Sequence, residues 1–562
     1  MPDTLLNLSQ SLQNKDPGFL RIVLELWDIE PSDQSTKDTM PGRAALQKQI
    51  ASLLESNRIA QVVEALPDDA RSALDDLRRN EGRLPWPMFT RRYGTIREMG
   101  AGRRDRERPY QTPTSPAETL WYRTLVARAF LDTPDGPQEF AYIPGDIFRL
   151  LPDPQGELTA PLGRPATPSE RAHTILANDR ILDHACTLLA ALRLGLHLDS
   201  VEFTRASWAF TSPFAPSPTA LLAMLNATDL LDAGTNLPQP EATRQFLEYL
   251  RGKALALLAR AWHHNPAFNE FRMLPDLSFE GEWQNDPLRA RYAIIDLLSK
   301  VPHNTWWSLP GFVSAVKHHQ PDFQRPAGDY DSWFVRHKVS GEYLRGFEHW
   351  DEVDGALVRY IICGPLHWLG VLDLAAPAPG AQPAAFRFSR WSVELLSGAP
   401  AQGLEVEDDS FLISSDARLR APRLVPRAAR YLVTRFCAWE GANEDGYLYR
   451  ITSDSLSRAR DQGLRAGHLL SLLRRHALTV PPSLTRALER WEEHGSEARL
   501  ERALILRLRT PETLQLLRNS RYARYLGDPL GPTTIIVNPG AGEKVLAALA
   551  EMGYLGEMEG RE

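Results

Sequence analysis

The sequence predicts a mainly α-helical protein of several domains, with a small α/β module at its carboxy-terminal end. Three observations lead to this prediction. The 562 residues amount to three or four domains of roughly 150 residues each. Apolar residues recur at helical spacing through most of the chain. One order of predicted elements occurs twice, which indicates two copies of the same unit.

The composition excludes several classes of protein. A net charge of -7 is small for this length and indicates no partner, while 43% hydrophobic residues exclude disorder of the whole chain. No apolar run reaches the roughly 18 residues of a membrane span, so we expect a soluble, cytoplasmic protein with no membrane partner. Cys186, Cys363 and Cys437 are too far apart for a CxxC site. We expect no metal and no cofactor.

The first copy of the repeated unit covers residues 65–152, after a helical amino-terminal segment at 1–64. It begins with an amphipathic helix, and Pro87 then suits the first turn of a second helix. Ser115 and Glu118 predict a capping box that opens a third helix. A strand, a turn and another strand follow.

The second copy covers residues 286–397 and repeats this order. Pro310 suits the start of its second helix, and Asp351 is predicted to cap its third. Three helices followed by a two-stranded hairpin form the winged-helix pattern, so we expect two winged-helix units. Residues 160–285 between them are predicted to form a helical connector or a degenerate third unit.

An arginine-rich stretch follows the second helix of the first copy. In helix-turn-helix proteins the junction between the second and third helices faces the duplex, where arginines bind phosphates. The alternative is a solvated loop that pairs with its own acids. The predicted DNA-contacting residues are Arg91, Arg92, Arg97, Arg103, Arg104, Arg106, Arg108 and Arg123. A second arginine cluster, between Arg418 and Arg435, predicts either a basic face or a helix docked on acids such as Glu405 and Glu407.

Residues 405–495 carry the most specific motif. It predicts a strand, a helix capped near Ser453, a stop at a glycine, another helix, and a third helix that starts at a proline pair. The motif residues are Tyr447, Tyr449, Ile451, Ser455, Leu456, Gly463, Leu472, Leu473, Pro481, Pro482 and Trp491. This arrangement resembles the helicase-associated domain at the amino terminus of XPB-type DNA helicases. It equally resembles the carboxy-terminal part of the XPB-binding subunit of TFIIH.

The tail, residues 500–562, predicts a βαβα module with two strands. The resemblance implies that this module pairs with a similar module on an XPB-type helicase and does no chemistry. Ile535, Ile536 and Val537 form an apolar strand that we expect to leave an edge or a face available. Self-association through the module is an alternative, and a sheet closed against the preceding helix is another.

No GxxxxGK[ST] loop occurs, since the one Gly-Lys pair, Gly252-Lys253, precedes an alanine. The leading hypothesis is therefore a non-catalytic accessory protein for repair or transcription-linked remodelling. We expect it to bind duplex DNA with little sequence preference, an XPB-type helicase, or both. The competing class is a winged-helix transcriptional regulator that recognises a specific operator. An enzyme with an unrecognised site is the third.

Overall fold

The computed structural model describes residues 5–27, 42–52, 54, 58–133, 136–151, 161–200, 203–204, 214–326, 328–443, 445–498 and 503–558. These residues form two compact units. The first unit contains residues 1–451 and 472–479, and the second contains 452–471 and 480–562. Helices exceed strands, but five small sheets make the described part a mixed α/β multi-domain structure rather than a mainly α one. None of its helices is long and apolar enough to span a membrane.

The amino-terminal helices share one hydrophobic core with the first copy of the repeat. Leu20, Val23 and Trp27 are buried in the same cluster as Leu120 and Ile143. The amino-terminal helices are α1 (Leu8–Leu12), α2 (Pro17–Leu26), α3 (Arg43–Ser52) and α4 (Arg58–Glu64).

The first copy contains the predicted three helices and hairpin in order, together with a short strand, a helix within the arginine-rich stretch and a final helix that the sequence did not predict. Its elements are α5 (Asp68–Arg79), β1 (Arg83–Pro85), α6 (Trp86–Tyr93), α7 (Ala101–Glu107), α8 (Pro116–Tyr122), β2 (Ala127–Thr133), β3 (Gly136–Tyr142) and α9 (Gly145–Leu150). The antiparallel sheet has the order β1-β3-β2. Ser115 accepts a hydrogen bond from the Glu118 amide, but the Glu118 carboxylate turns to Arg97 instead of the cap. The predicted capping box is therefore only half formed.

The segment between the copies is helical but also contributes two strands. Its helices are α10 (Ile181–Arg193), α11 (Pro218–Asn226), α12 (Pro240–Glu248) and α13 (Arg251–His264). Strand β4 (His173–Ile175) joins the sheet of the second copy, and β5 (Leu277–Glu280) pairs with a strand inserted into that copy.

The second copy repeats the order with one insertion. Its elements are α14 (Pro287–Ser299), β6 (Trp307–Ser308), α15 (Leu309–His319), the inserted β7 (Phe334–His337), α16 (Trp350–Cys363), α17 (Pro365–Trp368), β8 (Leu372–Ala376), β9 (Ala385–Phe388) and α18 (Ser392–Leu396). The expectation that Asp351 caps the third helix is wrong. That helix starts at Trp350, and the Asp351 carboxylate instead accepts a hydrogen bond from Lys317 Nζ at 2.5 Å.

The two copies share their strand pairing. In each copy the short strand before the second helix pairs with the last strand of the hairpin, β1 with β3 and β6 with β9. The hairpins β2–β3 and β8–β9 are both antiparallel. The copies differ between the second and third helices, where the first has the arginine-rich stretch and the second has the longer insertion with β7.

A four-stranded antiparallel sheet follows the second copy. Its strands, in the order β10-β11-β13-β12, are β10 (Leu412–Ile413), β11 (Arg418–Ala421), β12 (Ala438–Asn443) and β13 (Gly446–Arg450). Helix α19 (Arg427–Val433) crosses between β11 and β12, and is shorter than the basic helix predicted from Arg423 to Arg435.

The second unit ends in a module with three strands instead of the predicted two. Helices α20 (Ser453–Asp461), α21 (Ala466–His476) and α22 (Pro482–His494) precede β14 (Leu504–Arg507), α23 (Pro511–Arg518), β15 (Leu526–Gly531), β16 (Thr534–Val537) and α24 (Gly542–Glu551). The order β14-β16-β15 places the apolar strand β16 in the centre. The prediction that Ile535, Ile536 and Val537 leave an edge open is therefore wrong, because both edges of β16 are paired.

Candidate nucleic-acid interface

The third helix of each copy is packed into the protein and presents no basic face. In α8, Glu118, Leu120 and Tyr122 are buried and none of its residues is exposed. In α16, the exposed residues are the acidic Asp351 and Glu352. A helix that reads base edges in the major groove needs exposed donors at this position. These helices do not supply them.

Arg97 lies in a structural ion pair. Its Nε and Nη2 donate to the Glu118 carboxylate at 2.9 and 2.7 Å, and its Nη2 also donates to the carbonyls of Pro109 and Thr112. Burial favours a raised pKa for Glu118, but hydrogen bonds from Arg97 and from the Thr114 amide outweigh burial, so the pKa of Glu118 is lowered. Arg97 is therefore used to hold the loop before α8, although its side chain stays 33% exposed.

Arg104 also forms ion pairs within the protein. It is 5% exposed and donates to both oxygens of Asp16 at 2.7 and 2.8 Å, and to Asp105 at 2.7 Å. These hydrogen bonds hold the pKa of Asp16 at about 2. The pair ties α7 to α2, so an alanine at this position would disturb the fold before it tested any contact with DNA.

Arg92 and Arg123 are half-buried. Arg92 pairs with Asp76 at 2.7 Å and also donates to the His319 carbonyl of the second copy. Arg123 donates to the Thr119 carbonyl, and burial lowers the pKa of Arg123. Neither guanidinium is placed to bind a phosphate without breaking these contacts.

Four of the eight predicted arginines remain exposed: Arg91, Arg103, Arg106 and Arg108. Arg103 pairs with Glu107 one turn along α7 at 2.7 Å, and such an exposed pair adds little stability. Within the described ranges, Arg106 and Arg108 have no ion-pair partner. The predicted interface is thereby reduced to the exposed surface of α7 and its carboxy-terminal cap.

Arg91 belongs to a separate site, which we call the inter-repeat cleft. The last turns of α6 and α15, the second helices of the two copies, meet there around a volume of about 540 Å³. The cleft is lined by Ser72, Asp76, Arg79, Met88, Arg91, Arg92, Tyr93, Lys317, His318, His319, Pro321 and Phe347. Burial, with a smaller contribution from Arg92, lowers the pKa of His319. This shift favours the neutral form of His319, so the positive charge of the lining comes from its arginines and Lys317.

The second arginine cluster is a buried charge network that joins α10, α13 and α19. Arg251 is 2% exposed and contacts Asp179 at 2.6 Å, Asp183 at 3.0 Å and Glu407 at 2.9 Å. Burial favours a raised pKa for Asp183, but the charges of Arg251, Arg423 and Arg430 together outweigh burial, so the pKa of Asp183 is lowered.

Arginines of the predicted cluster complete this network. Arg423 pairs with Asp179, Asp183 and Glu405, and Arg427 pairs with Glu407 at 2.5 Å. The interpretation that these arginines dock on the chain's own acids is confirmed.

The family-motif residues take structural positions. Gly463 follows α20 with φ of +77°, Pro482 is the first residue of α22, and the Trp491 indole donates to the Ser453 hydroxyl at 3.1 Å. Pro481 precedes α22 as its N-cap, and Leu472 is half-buried. The buried members are Tyr447, Tyr449, Ile451, Ser455, Leu456 and Leu473.

No group of histidine, cysteine, aspartate and glutamate in the described part could hold a metal ion. Sequence reasoning missed the inter-repeat cleft, because Arg91 and Lys317 are more than two hundred positions apart. The one available signal was the repeat itself, which places basic residues at the end of the second helix in both copies.

Comparison with known proteins adds one finding. Residues 411–528 match the family model described as helicase conserved C-terminal domain. The matched segment runs from the sheet β10-β11-β13-β12 through α19 to α23 and into β15. No curated protein matches the chain. The match indicates a helicase-related role. The matched segment contains helices and strands of both compact units.

Proposed function

We propose that this protein is a non-catalytic accessory factor of a DNA helicase, acting in repair or transcription-linked remodelling in the cytoplasm. One observation carries the proposal: the helicase-type segment at 411–528 occurs in a sequence with no GxxxxGK[ST] loop. Without a phosphate cradle a chain of this kind has no assignable site for ATP hydrolysis. The two repeated units at 65–152 and 286–397 are then winged-helix domains that support binding instead of catalysis.

Duplex DNA is the proposed nucleic-acid partner, bound through its phosphates. Arg106 and Arg108 support this contact because both are exposed and lack an ion-pair partner among the described residues, and Arg103 lies one turn away on α7. Phosphate contacts position a protein on DNA without reading sequence. The acidic or buried third helices favour such weak sequence preference over operator recognition, so no observation favours the regulator hypothesis.

An XPB-type helicase is the proposed protein partner of the carboxy-terminal module. The edge strand β14 exposes Leu504 and Ile505, 41% and 43% exposed, and the other edge strand β15 exposes Leu530, 54% exposed. Exposed apolar edge strands are suited to pairing with another sheet. The alternative is that the same strands pair with a second copy of this chain.

The experiment compares the full chain with a variant lacking residues 500–562. We expect the full chain to retain an XPB-type helicase in a pull-down, and the deletion to lose it while the remainder stays folded by circular dichroism. Solution mass measured on both proteins tests self-association. If neither helicase retention nor solution mass changes, the module is a structural cap. ATP turnover by the purified full chain, after removal of contaminating helicases, would contradict the non-catalytic role.

A further inference from the structure

The inter-repeat cleft is lined by more basic than acidic side chains. Its lining includes Arg79, Arg91, Arg92 and Lys317, with Asp76 as the one carboxylate among the lining residues. Arg92 already pairs with that carboxylate. Basic residues at a helix carboxy terminus favour the helix dipole. That effect explains why each residue is tolerated, but it does not explain why two helix ends converge on an open volume.

Arg91 is held by aromatic rings rather than by an acid. Its guanidinium carbon lies 3.9 Å from the ring centroid of Phe347 and 5.2 Å from that of Tyr330. In the part of the chain that the structure describes, no carboxylate lies within ion-pair distance of Arg91. A stacked guanidinium uses its face and keeps its N–H donors in the plane. Those donors remain available to an anion.

Lys317 brings a second cation to the same ring. Its Nζ lies 5.3 Å from the Phe347 centroid and 2.5 Å from an Asp351 oxygen. An ammonium group has three donors, so one contact with Asp351 leaves capacity for a further acceptor. Arg92 Nε is buried and has no hydrogen-bond partner among the described residues. Phe347 therefore fixes two cations at one end of a cleft that also holds an unsatisfied donor.

The other lining residues indicate the chemical character of the rest of the ligand. Met88, Pro321 and Phe347 give the cleft an apolar part. The volume of about 540 Å³ falls within the roughly 300–1,000 Å³ of small-molecule sites. An anion alone would leave this apolar surface uncovered, whereas a ligand with a phosphate head and a flat, largely apolar body would contact both parts.

We propose that the inter-repeat cleft binds a nucleoside phosphate, with the phosphate between Arg91 and Lys317 and the nucleoside against Met88. The same chemistry is offered by a free nucleotide and by the 5′-phosphorylated end of a DNA strand. The proposal is independent of the helicase partnership, because it uses residues of the two copies and none of the residues from 411 to 528.

The test is calorimetric titration of the full chain with adenosine 5′-monophosphate, adenosine, inorganic phosphate, and a short oligothymidylate with or without a 5′-phosphate. We expect saturable binding of the monophosphate at least tenfold tighter than that of adenosine or phosphate. If the phosphorylated oligonucleotide binds tighter than the free nucleotide, the ligand is a strand end. If it binds more weakly, the ligand is a free nucleotide.

Variants assign the binding to the cleft. Arg91→Ala should weaken binding of the monophosphate at least tenfold, and Arg91→Lys should weaken it less because the charge is kept. Arg244→Ala is the matched control, since this exposed arginine pairs with Glu241 and Glu248 on its own helix and lies outside both the cleft lining and the predicted DNA surface. Lys317→Ala provides a second test should Arg91→Ala prove unstable. Equal affinity for adenosine and its monophosphate, no saturable binding, or unchanged affinity in both cleft variants overturns the proposal.

Discussion

Each copy of the repeat holds its third helix with a pair between an arginine and a buried carboxylate, but the surroundings of the two pairs differ. In the first copy the buried carboxylate of Glu118 on α8 binds Arg97 from the preceding loop. In the second copy the buried carboxylate of Asp354 on α16 binds Arg325 from the insertion, at 3.0 Å. In both copies an arginine between the second and third helices is used to fix the third helix. Arginines at this junction are therefore weak evidence for DNA binding.

The surroundings of the two carboxylates differ. Glu118 accepts hydrogen bonds from the Arg97 and Thr114 amides as well as from side chains, and its pKa is lowered. Asp354 accepts from the side chains of Gln324 and Arg325, and burial raises the pKa of Asp354 despite the charge of Arg325. The partner of Glu118 is 33% exposed, whereas Arg325 is 3% exposed. The second pair is thus the more isolated from water.

The largest expected effect comes from removing the two arginines. Arg325→Ala leaves the Asp354 charge buried, which should cost roughly 3–5 kcal/mol in the free energy of unfolding. Arg97→Ala should cost less, on the order of 2 kcal/mol, because Glu118 keeps the Thr114 donors. Urea unfolding measures both, with Arg103→Ala as a control expected within about 1 kcal/mol of the parent. Equal costs for the two pairs would show that the copies do not differ.

The pH dependence should have opposite sign in the two copies. The lowered pKa of Glu118 means that its contribution is complete above the ordinary glutamate pKa and is lost as pH falls. The cost of Glu118→Gln should therefore shrink in acid. The raised pKa of Asp354 means that stability is lost as pH rises through the folded-state pKa. The cost of Asp354→Asn should therefore be smaller at pH 7 than in acid, and urea titrations at both pH values decide it.

DNA binding should distinguish the two segments between the second and third helices. The double variant Arg106→Ala, Arg108→Ala should reduce the log-log salt slope of duplex binding by roughly 0.9 for each phosphate that the protein no longer neutralises. The matched pair on the second copy's insertion, Lys338→Ala and Arg345→Ala, should leave the slope unchanged. A reduced salt slope in the Lys338→Ala, Arg345→Ala variant alone would show that the insertion, and not α7, contacts the DNA.

The smallest expected effect concerns the helix caps. Ser115 accepts from the Glu118 amide at 3.1 Å, so Ser115→Ala should cost about 1 kcal/mol in the free energy of unfolding. His349 occupies the same position before α16 without a side-chain cap, so His349→Ala should cost less. Thermal unfolding of the two variants compares them. A larger loss in His349→Ala would show that its contact with Glu352 stabilises α16 more than a cap does.

Local signals in the sequence predicted most helices and strands, but not which parts of the chain they contact. The prediction that a proline lies in the first turn of a helix is confirmed for Pro87, Pro310 and Pro482. This prediction depends only on the neighbouring residues in the sequence. Strand β15 was missed because Pro529 and two glycines are untypical of strands. An edge strand tolerates them, since only one side of it is paired.

The candidate site depends on distant residues and could be predicted only in part. Arg104 and Asp16 lie 88 positions apart, so no local pattern shows that they pair. Arg106 and Arg108 are exposed, as a contact with phosphates requires, but their contact with DNA stays a prediction. The ring of Phe347 under Arg91 belongs to the other copy, and only the folded chain brings the two together.

The central position of β16 has a practical consequence for anyone who expresses part of this chain. The helicase-type match ends at residue 528, inside β15, whereas β14 and β15 each pair with β16 and not with each other. A fragment cut at the limit of the match would retain two strands without their common neighbour, and would also lose Val545 and Leu549 of the module's core. Such a fragment should aggregate, while one extended through α24 to residue 558 should stay soluble.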